Sequence, residues 1–329
     1  MIITRTPLRV CFFSGGSDLP SFYEKEDGAS LSVTINKYIH VIAHQVPNMG
    51  VKVMYDDVEE LHDLEQMRHA ITRETLKLYN VNKEITVASI SDIVSKGSGL
   101  GSSSAFTVGL VKAMSALNKE SVSGSHIADI ACQIEMVKCG YPVGKQDQYA
   151  AAYGGFNLFK FHTNGSVSAD SITLNNKNIQ KLQDNLLLVY SGRGRDANNI
   201  LQKQQKAMSN IDKFKIVQRA RDKAYEGRDL LLEGKVDEFG ELLHKSWLDK
   251  KNICEDITQD YFDAVYEKAI DAGALGGKLL GAGGGGFFIF YVPQKDKEGV
   301  AWEVTKYTAC KVYDFEFTGN GSNIVYHHP

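Results

Sequence analysis

The chain has 329 residues, of which 43% are hydrophobic and 23% charged, and its formal net charge is -3 at pH 7. This length predicts about two domains with substantial cores, and the charge, without a basic stripe, argues against nucleic acid as a partner. The N-terminus has no apolar signal core and no apolar stretch is long enough to span a bilayer, so no membrane partner is expected. The five cysteines form no C-x-x-C pair, which argues against disulfides and structural zinc and suits a cytoplasmic location.

The predicted elements are strands first and helices later. β-Branched and aromatic residues predict strands at 9–13, 31–46, 51–55 and 85–90. Helical spacing then predicts helices at 62–79, 103–118 and 125–139. Further strands are predicted at 156–161, 166–174 and 186–190, and further helical regions at 196–234, 237–250 and 261–272. Strands at 287–292 and 312–317 close the chain. Because strands are grouped with helices rather than strictly alternating, the predicted fold class is α+β, with a boundary near residue 180 after a polar loop at 175–178.

The most informative segment is a glycine- and serine-rich loop that leads into the helix predicted at 103–118. Alternating glycines allow successive N–H groups to converge, and the helix N-terminus adds unpaired N–H groups and a positive dipole end. A flexible turn is the commoner meaning of such composition, but it does not need alternating glycines followed by three hydroxyls. The loop lacks the Gly-Lys-Ser/Thr of a Walker A sequence. The predicted polyphosphate-binding residues are Gly97, Ser98, Gly99, Leu100, Gly101, Ser102, Ser103 and Ser104.

A second glycine-rich segment occupies residues 278–287. Its glycines formally match a dinucleotide fingerprint, but the aromatic run at 287–292 predicts a strand where the fingerprint needs a helix, so NAD binding is rejected. A tight turn between two strands is the alternative. The number of consecutive glycines favours close approach of the backbone to a ligand, at Gly283 and Gly284.

Three charged residues stand out from their surroundings. Glu135 shares one line of its helix with apolar positions, and pairing with Lys138 is its alternative role. Asp147 precedes a helix of small residues, where an acid that only favours the helix N-terminus is the alternative. Arg9 lies within an apolar strand and needs a partner, because an unpaired buried charge is costly.

These segments together resemble the GHMP kinases, the family named for galactokinase, homoserine kinase, mevalonate kinase and phosphomevalonate kinase. Residues 6–18, 97–105 and 278–287 resemble the three family motifs in order, and the resemblance covers essentially the whole chain. Residues 14–20, 144–149 and 274–286 are most similar to the D-glycero-D-manno-heptose 7-phosphate kinase subgroup. Related sequences commonly place a proline before motif two, whereas this chain has none at 92–97, so the entry to the loop differs.

The resemblance implies a fold and a set of roles. The fold would be an N-terminal domain like ribosomal protein S5 domain 2, over 1–180, and a ferredoxin-like C-terminal domain, over 181–329, with the site between them. The family uses ATP and Mg²⁺, and the magnesium ligands map onto Ser103 and Glu135. The catalytic base or charge stabiliser maps onto Asp147, with Arg9 beside it. The sugar-hydroxyl ligand maps onto Asp18, with Gly16 and Ser17 in the same turn.

The implied reaction is transfer of the γ-phosphoryl group of ATP to the anomeric hydroxyl of a heptose 7-phosphate. Arg193 and Arg195 lie between glycines after a predicted strand, and bidentate arginine contacts suit a distal phosphate. A solvated basic turn is the alternative for either arginine alone. Another sugar 1-kinase, such as a fucokinase, is the nearest alternative activity, and a non-catalytic binding protein on the same scaffold is the second. The sequence leaves open the sugar stereochemistry, the anomer and the oligomeric state, a homodimer included.

Overall fold

Two β-sheets with helices packed on them organise the chain. The computed structural model describes residues 1–94, 97–194, 197–306 and 308–328. The strands are β1 (Ile2–Phe13), β2 (Gly28–Gln45), β3 (Val51–Met54), β4 (Val58–Leu61), β5 (Ile85–Ser91), β6 (Phe156–Phe161), β7 (Val167–Ser171), β8 (Leu186–Tyr190), β9 (Gly276–Leu279), β10 (Phe287–Tyr291), β11 (Lys311–Tyr313) and β12 (Asn323–His327).

Helices pack on both sheets. The α-helices are α1 (Pro20–Tyr23), α2 (Ala70–Leu78), α3 (Ser102–Leu117), α4 (Gly124–Cys132), α5 (Gln146–Tyr153), α6 (Asn176–Asp184), α7 (Ala197–Ala207), α8 (Ile211–Glu233), α9 (Val236–Lys251), α10 (Asp260–Asp271) and α11 (Lys297–Lys306). Of these, α3 and α8 contact β1 and β2 of the first sheet, and α9 contacts β9 and β10 of the second. A π-helical turn, Gln133–Lys138, continues α4, and 3₁₀ turns lie at Leu64–Gln66 and Gln294–Asp296. Across the described residues, no helix is long and apolar enough to cross a bilayer.

The first sheet has the strand order β12-β1-β2-β5-β3-β4, with β6 and β7 attached through β2. The long strand β2 pairs with β1 along one side, while its first part pairs with β6 and its last part with β5. The second sheet has the order β11-β8-β10-β9. All five residues of β10 are buried, because this strand lies between two others and beneath helices, which explains its uninterrupted aromatic sequence.

The α+β fold class is confirmed, and the strands predicted at 156–161 and 186–190 match β6 and β8. The loop predicted at 175–178 is wrong. Asn175 instead accepts a hydrogen bond from the Asn178 backbone N–H and caps α6, since asparagine satisfies an otherwise unpaired N–H at a helix start. Residue 180 therefore lies inside a helix, and the division into 1–180 and 181–329 stays a prediction.

The last strand, β12, returns to the first sheet and pairs antiparallel with β1. A second connection joins β1 to the second sheet, because the ammonium of Lys278 on β9 donates to the Phe12 carbonyl at 2.7 Å. The Phe287 N–H of β10 also donates to the Ser98 carbonyl at 2.9 Å. These contacts bring the glycine loop, the end of β1 and the second sheet to one place.

Candidate active site

A cleft of about 540 Å³ opens where these parts meet. Most of the predicted site residues line it: Arg9, Gly16, Asp18, Gly97, Ser98, Gly99, Gly101, Ser102, Ser103, Ser104, Glu135 and Asp147. Four other predicted residues that the structure describes do not line the cleft, namely Ser17, Arg193, Gly283 and Gly284. Leu100, within the glycine loop, is buried and does not line it either. Arg195 lies outside the described residues.

The glycine loop is shaped by left-handed backbone angles. Gly97, Gly99 and Gly101 have φ values of 66°, 76° and 76°, which L side chains rarely adopt. Gly101 is the N-cap of α3 and has no capping side chain, and its carbonyl accepts the first helical bond, from Ala105, at 2.8 Å. The N–H groups of the first helical turn have no partner within the helix, so they remain available to an anion in the cleft.

Arg9 and Asp147 form a bidentate ion pair beside this loop. Arg9 Nε donates to Asp147 Oδ1 at 2.8 Å and Nη2 donates to Oδ2 at 2.7 Å. Arg9 Nη1 donates to the Gly99 carbonyl at 2.5 Å, which ties the pair to the loop. Burial alone would lower the pKa of Arg9, but the attraction and hydrogen bonds of Asp147, together with smaller effects of Cys11 and Asp18, outweigh it and the pKa is raised. Arg9 is 2% exposed and Asp147 24%, so the acid faces the cleft and the guanidinium holds it from behind.

Asp18 is the second acid near this pair. Its Oδ1 accepts from the Ser14 hydroxyl at 3.0 Å and its Oδ2 from the Gln146 N–H at 3.4 Å. Burial, together with the nearby charge of Asp147, raises the pKa of Asp18 to about 6. The close packing of the Asp18 carboxylate against the chain before α5 requires glycine at position 144, because a Cβ there would lie 1.9 Å from Asp18 Oδ2.

The rest of the Asp18 turn has structural contacts. Ser17 Oγ donates to the Ala29 carbonyl at 2.8 Å and accepts from the Ala29 N–H at 3.1 Å, so this hydroxyl anchors the turn to β2. Gly16 lines the cleft with φ at 91°. Asp18 and Gly16 therefore face the cleft, whereas the predicted contact from Ser17 is directed into the fold.

Glu135 lies on the π-helical turn and is completely buried. The Ser104 hydroxyl donates to its Oε2 at 3.1 Å, while Oε1 has no hydrogen-bond partner among the described residues. The nearby Thr107 hydroxyl donates instead to the Ser103 carbonyl, at 3.0 Å. Burial raises the pKa of Glu135 to about 7. The alternative partner, Lys138, is exposed and forms no ion pair with Glu135.

The donor set at Glu135 fits a hard cation. An unpartnered buried carboxylate oxygen is costly unless a cation or proton meets it, and the hydroxyl-bearing Ser103 is exposed to the same cleft. The described residues contain no group of three or more His, Cys, Asp or Glu side chains that could hold a metal ion. Few protein ligands would therefore be available, which is typical of Mg²⁺ sites that include substrate phosphates.

The second glycine segment approaches the first one. A Cβ at Gly286 would lie 2.3 Å from the Ser98 carbonyl, and one at Gly283 would lie 2.6 Å from the Ile257 carbonyl. Gly284 donates its N–H to the same Ile257 carbonyl at 2.7 Å. The close backbone approach predicted for Gly283 and Gly284 is thus made to protein rather than to the cleft, which Gly281 and Ala282 line instead.

Arg193, the distal-phosphate candidate after β8 that the structure describes, does not line the cleft. The guanidinium of Arg193 lies 3.9 Å from the centre of the Tyr261 ring. Tyr261 in turn donates its hydroxyl to the Ser191 carbonyl at 2.8 Å. These contacts account for Arg193 as part of the packing between the segment after β8 and α10.

Sequence reasoning missed two groups that line the cleft. One is an aromatic group in which the His69 ring packs on Tyr55 at 4.7 Å and on Phe106 at 5.1 Å, measured between ring centres. The other is a pair of buried lysines, Lys250 and Lys278. Lysine is rarely buried, whether at the end of a helix like Lys250 or in a short strand like Lys278, so only the packing of α9 and β9 reveals that these two are buried.

Comparisons with known proteins agree with this geometry. The family model for the GHMP kinases N terminal domain matches residues 65–155, and that for the GHMP kinases C terminal domain matches residues 228–307. A D-glycero-alpha-D-manno-heptose 7-phosphate kinase of Campylobacter jejuni is 30% identical over 97% of each chain. A bifunctional fucokinase/GDP-fucose pyrophosphorylase of Arabidopsis thaliana is 25% identical over 88% of this chain and 30% of that longer protein.

Solved structures show the same fold along the whole chain. A putative sugar kinase from Campylobacter jejuni superimposes with a TM-score of 0.78 and 29% identity, covering 98% of this chain and 97% of the other. A D-glycero-D-manno-heptose 1-phosphate kinase from Bacteriodes thetaiotaomicron superimposes with a TM-score of 0.80 at 24% identity, covering 100% of both chains.

Proposed function

Because this chain belongs to the GHMP kinase family and is a phosphotransferase, we propose that it phosphorylates D-glycero-D-manno-heptose 7-phosphate with ATP. The γ-phosphoryl group passes to the anomeric hydroxyl, and the products are ADP and the 1,7-bisphosphate. The observation that carries the proposal is the bidentate Arg9–Asp147 pair, bound to the glycine loop at the start of α3 within one cleft. The Campylobacter jejuni heptose 7-phosphate kinase, at 30% identity, supports the choice of acceptor.

Phosphoryl transfer depends chiefly on positioning and on neutralising the charge of the transferred group. The N–H groups of the glycine loop and of the first turn of α3 bind the nucleotide phosphates. Asp147, oriented through both oxygens by Arg9, faces the acceptor hydroxyl and takes its proton as the new O–P bond forms. Asp18 accepts hydrogen bonds from other sugar hydroxyls.

Ser103 and Glu135 would hold Mg²⁺. When bound, this ion supplies charge neutralisation on the phosphate oxygens. The unpartnered Oε1 of Glu135 is the observation that supports this assignment. Ser104 orients the carboxylate through Oε2, so that Oε1 is the oxygen left for the ion.

The test is an ADP-release assay with purified protein, ATP, Mg²⁺ and a panel of acceptors. The panel contains D-glycero-D-manno-heptose 7-phosphate, mannose 6-phosphate, fucose, galactose and mevalonate. We expect the highest kcat/KM for the heptose 7-phosphate, with the product phosphorylated at C1 by nuclear magnetic resonance. Turnover of the heptose 7-phosphate no faster than ATP hydrolysis without acceptor would refute the assignment.

A second candidate is a sugar 1-kinase that acts on an unphosphorylated sugar such as fucose. The Arabidopsis thaliana fucokinase match over 88% of this chain favours it. The same panel separates the two, because a fucokinase would use fucose and gain nothing from a distal phosphate. A non-catalytic binding protein is disfavoured, since such a protein has no need of an oriented carboxylate beside the phosphate loop.

A further inference from the structure

The cleft contains a buried lysine to which the reaction described above gives no role. Lys278 is 4% exposed, lies at the third position of β9 and lines the cleft. Its ammonium donates to the Phe12 carbonyl at 2.7 Å. Among the residues that the structure describes, no carboxylate lies within ion-pair distance of it. An ammonium has three N–H donors, so a single carbonyl does not satisfy it.

The surroundings of Lys278 do not neutralise its charge. Burial lowers the pKa of Lys278, and the charge of Arg9 lowers it further, against the opposing effect of Cys11. Cys11 is no counter-ion, because burial raises the pKa of its thiol and keeps it protonated. A buried cation beside another cation is costly unless an anion completes the site. Arg9 has such an anion in Asp147, whereas Lys278 has none in the described chain.

Lys278 lines the same cleft as Arg9 and Asp147. Arg9 and Cys11 lie two positions apart on β1, so their side chains share one face of the strand, and both are close enough to Lys278 to affect its pKa. Gly281 and Ala282, just beyond β9, line the same cleft. The charge of Lys278 therefore lies near Arg9, in the cleft that would hold the substrates.

We propose that Lys278 binds a phosphate group in the cleft. The proposal rests on the kinase function above, in which both substrates carry phosphates. Lysine binds phosphate as a point charge and needs no bidentate geometry. Two sources provide the same chemistry, namely the terminal phosphate of the nucleotide and the distal phosphate of the acceptor.

The test compares wild type with Lys278→Met, which keeps the length of the side chain and removes its charge. Lys297→Met is the matched control, because Lys297 also donates its ammonium to a backbone carbonyl, that of Asp184 at 2.7 Å, but lies away from the cleft. Affinities for the non-hydrolysable ATP analogue AMP-PNP and for ADP are measured by calorimetry. The KM for heptose 7-phosphate is measured by ADP release.

If Lys278 contacts a phosphate, Lys278→Met should weaken the affinity for the ligand that carries this phosphate, or raise its KM, by about 10- to 100-fold. Loss of AMP-PNP affinity with ADP affinity unchanged identifies the terminal phosphate. A raised KM for heptose 7-phosphate with both nucleotide affinities unchanged identifies the distal phosphate. If Lys278→Met changes all three constants by less than about twofold, as we expect for Lys297→Met, Lys278 only ties β9 to β1 and the proposal is wrong.

The two proposals fail in different ways. If wild type turns over no sugar phosphate, the acceptor assignment fails, and Lys278 is judged on AMP-PNP against ADP alone. If Lys278→Met does not fold, wild-type protein is treated with pyridoxal 5′-phosphate, an aldehyde that carries a phosphate, and then with borohydride. Labelling of Lys278 that AMP-PNP or heptose 7-phosphate prevents supports the proposal. Labelling of Lys250 without Lys278 contradicts it.

Discussion

Asp147 on α5 and Glu135 on the π-helical turn after α4 both lie beside the start of α3, and the fold surrounds these two carboxylates in opposite ways. Both oxygens of Asp147 are bound by the Arg9 guanidinium, and the acid is partly exposed to the cleft. Glu135 is completely buried, with one oxygen bound by Ser104 and the other without a partner among the described residues. The counter-ion of Asp147 is a residue of the chain, Arg9, whereas Glu135 has none among the described residues.

This difference separates two chemical tasks within a single cleft. A carboxylate bound through both oxygens by a fixed guanidinium is held in one orientation, which suits a group that positions the acceptor hydroxyl and takes its proton. A buried carboxylate without a counter-ion has a raised pKa and gains most from a cation supplied by the solvent. The comparison predicts that removing the charge of Asp147 affects the chemical step, whereas removing that of Glu135 affects metal binding and stability.

The largest effect is expected from Asp147→Asn. Loss of a general base lowers kcat by about 10²- to 10⁴-fold, while AMP-PNP affinity stays near that of wild type because Asp147 faces the acceptor. Asp170→Asn is the control, since Asp170 forms an ion pair with Lys160 at 2.8 Å on the surface and should leave kcat unchanged. Near-wild-type kcat for Asp147→Asn would remove the base from the mechanism.

The second prediction concerns pH and stability in the absence of metal. Burial raises the pKa of Glu135 from 4.5 to about 7 in the folded protein. Between these values the folded state keeps a proton that the unfolded state has released, so the free energy of unfolding falls as the pH rises through this window. The loss is on the order of 3 kcal/mol.

Glu135→Gln isolates this loss, because Asp18, whose pKa is raised to about 6, contributes in the same direction in both proteins. Urea unfolding at about pH 4.5 and about pH 8, with a chelator, measures it. We expect wild type to lose more stability than the variant, and Mg²⁺ to restore part of it. Equal losses in the two proteins would show that Glu135 is already neutralised by the chain.

The third prediction tests whether the position of the Asp18 carboxylate matters for binding of the acceptor. Gly144→Ala places a Cβ 1.9 Å from Asp18 Oδ2, so the carboxylate must move. A displacement of about 1 Å at a substrate ligand lowers kcat/KM on the order of 10²-fold. The control is Gly299→Ala, because a Cβ at Gly299 meets nothing within 4 Å. Unchanged acceptor kinetics in Gly144→Ala would exclude Asp18 as a sugar ligand.

The fourth prediction concerns the metal requirement. Glu135→Gln keeps the shape of the side chain and removes its charge, so the Mg²⁺ concentration for half-maximal activity should rise about tenfold or more. Titration of wild type and variant at saturating ATP measures this shift. Coincident titrations would make Glu135 a structural residue.

The smallest effect is expected from Arg193→Ala. The guanidinium packs on the Tyr261 ring, so its loss should lower the free energy of unfolding by about 0.5–1 kcal/mol and leave the KM for heptose 7-phosphate unchanged. The KM for heptose 7-phosphate is measured in parallel for Arg195→Ala, which changes the other arginine predicted to bind the distal phosphate. A raised KM in Arg193→Ala, but not a stability change, would restore this arginine to the phosphate site.

Local sequence patterns determined the elements and the reactive loop. The strands β6 and β8 and the helix α3 follow from alternation and helical spacing within a few residues, and the φ values of Gly97, Gly99 and Gly101 follow from the freedom that only glycine has. The cap at Asn175 is also local, but the same residues equally predict a loop, because asparagine favours both turns and helix starts. The exposed strand β12 was missed, since a strand exposed on both faces has no alternating apolar pattern.

Only the tertiary structure decided which residues meet. Arg9 and Asp147 lie 138 positions apart, and an apolar strand shows that its arginine needs a partner without showing which one. Likewise, Ser104 rather than Ser103 donates to Glu135. Gly286 packs on Ser98, and Lys278 on β9 donates to the Phe12 carbonyl of β1. Periodicity and backbone freedom are properties of neighbouring residues, whereas the counter-charges that set the chemistry of this cleft come from strands and helices that only the packed sheets bring together.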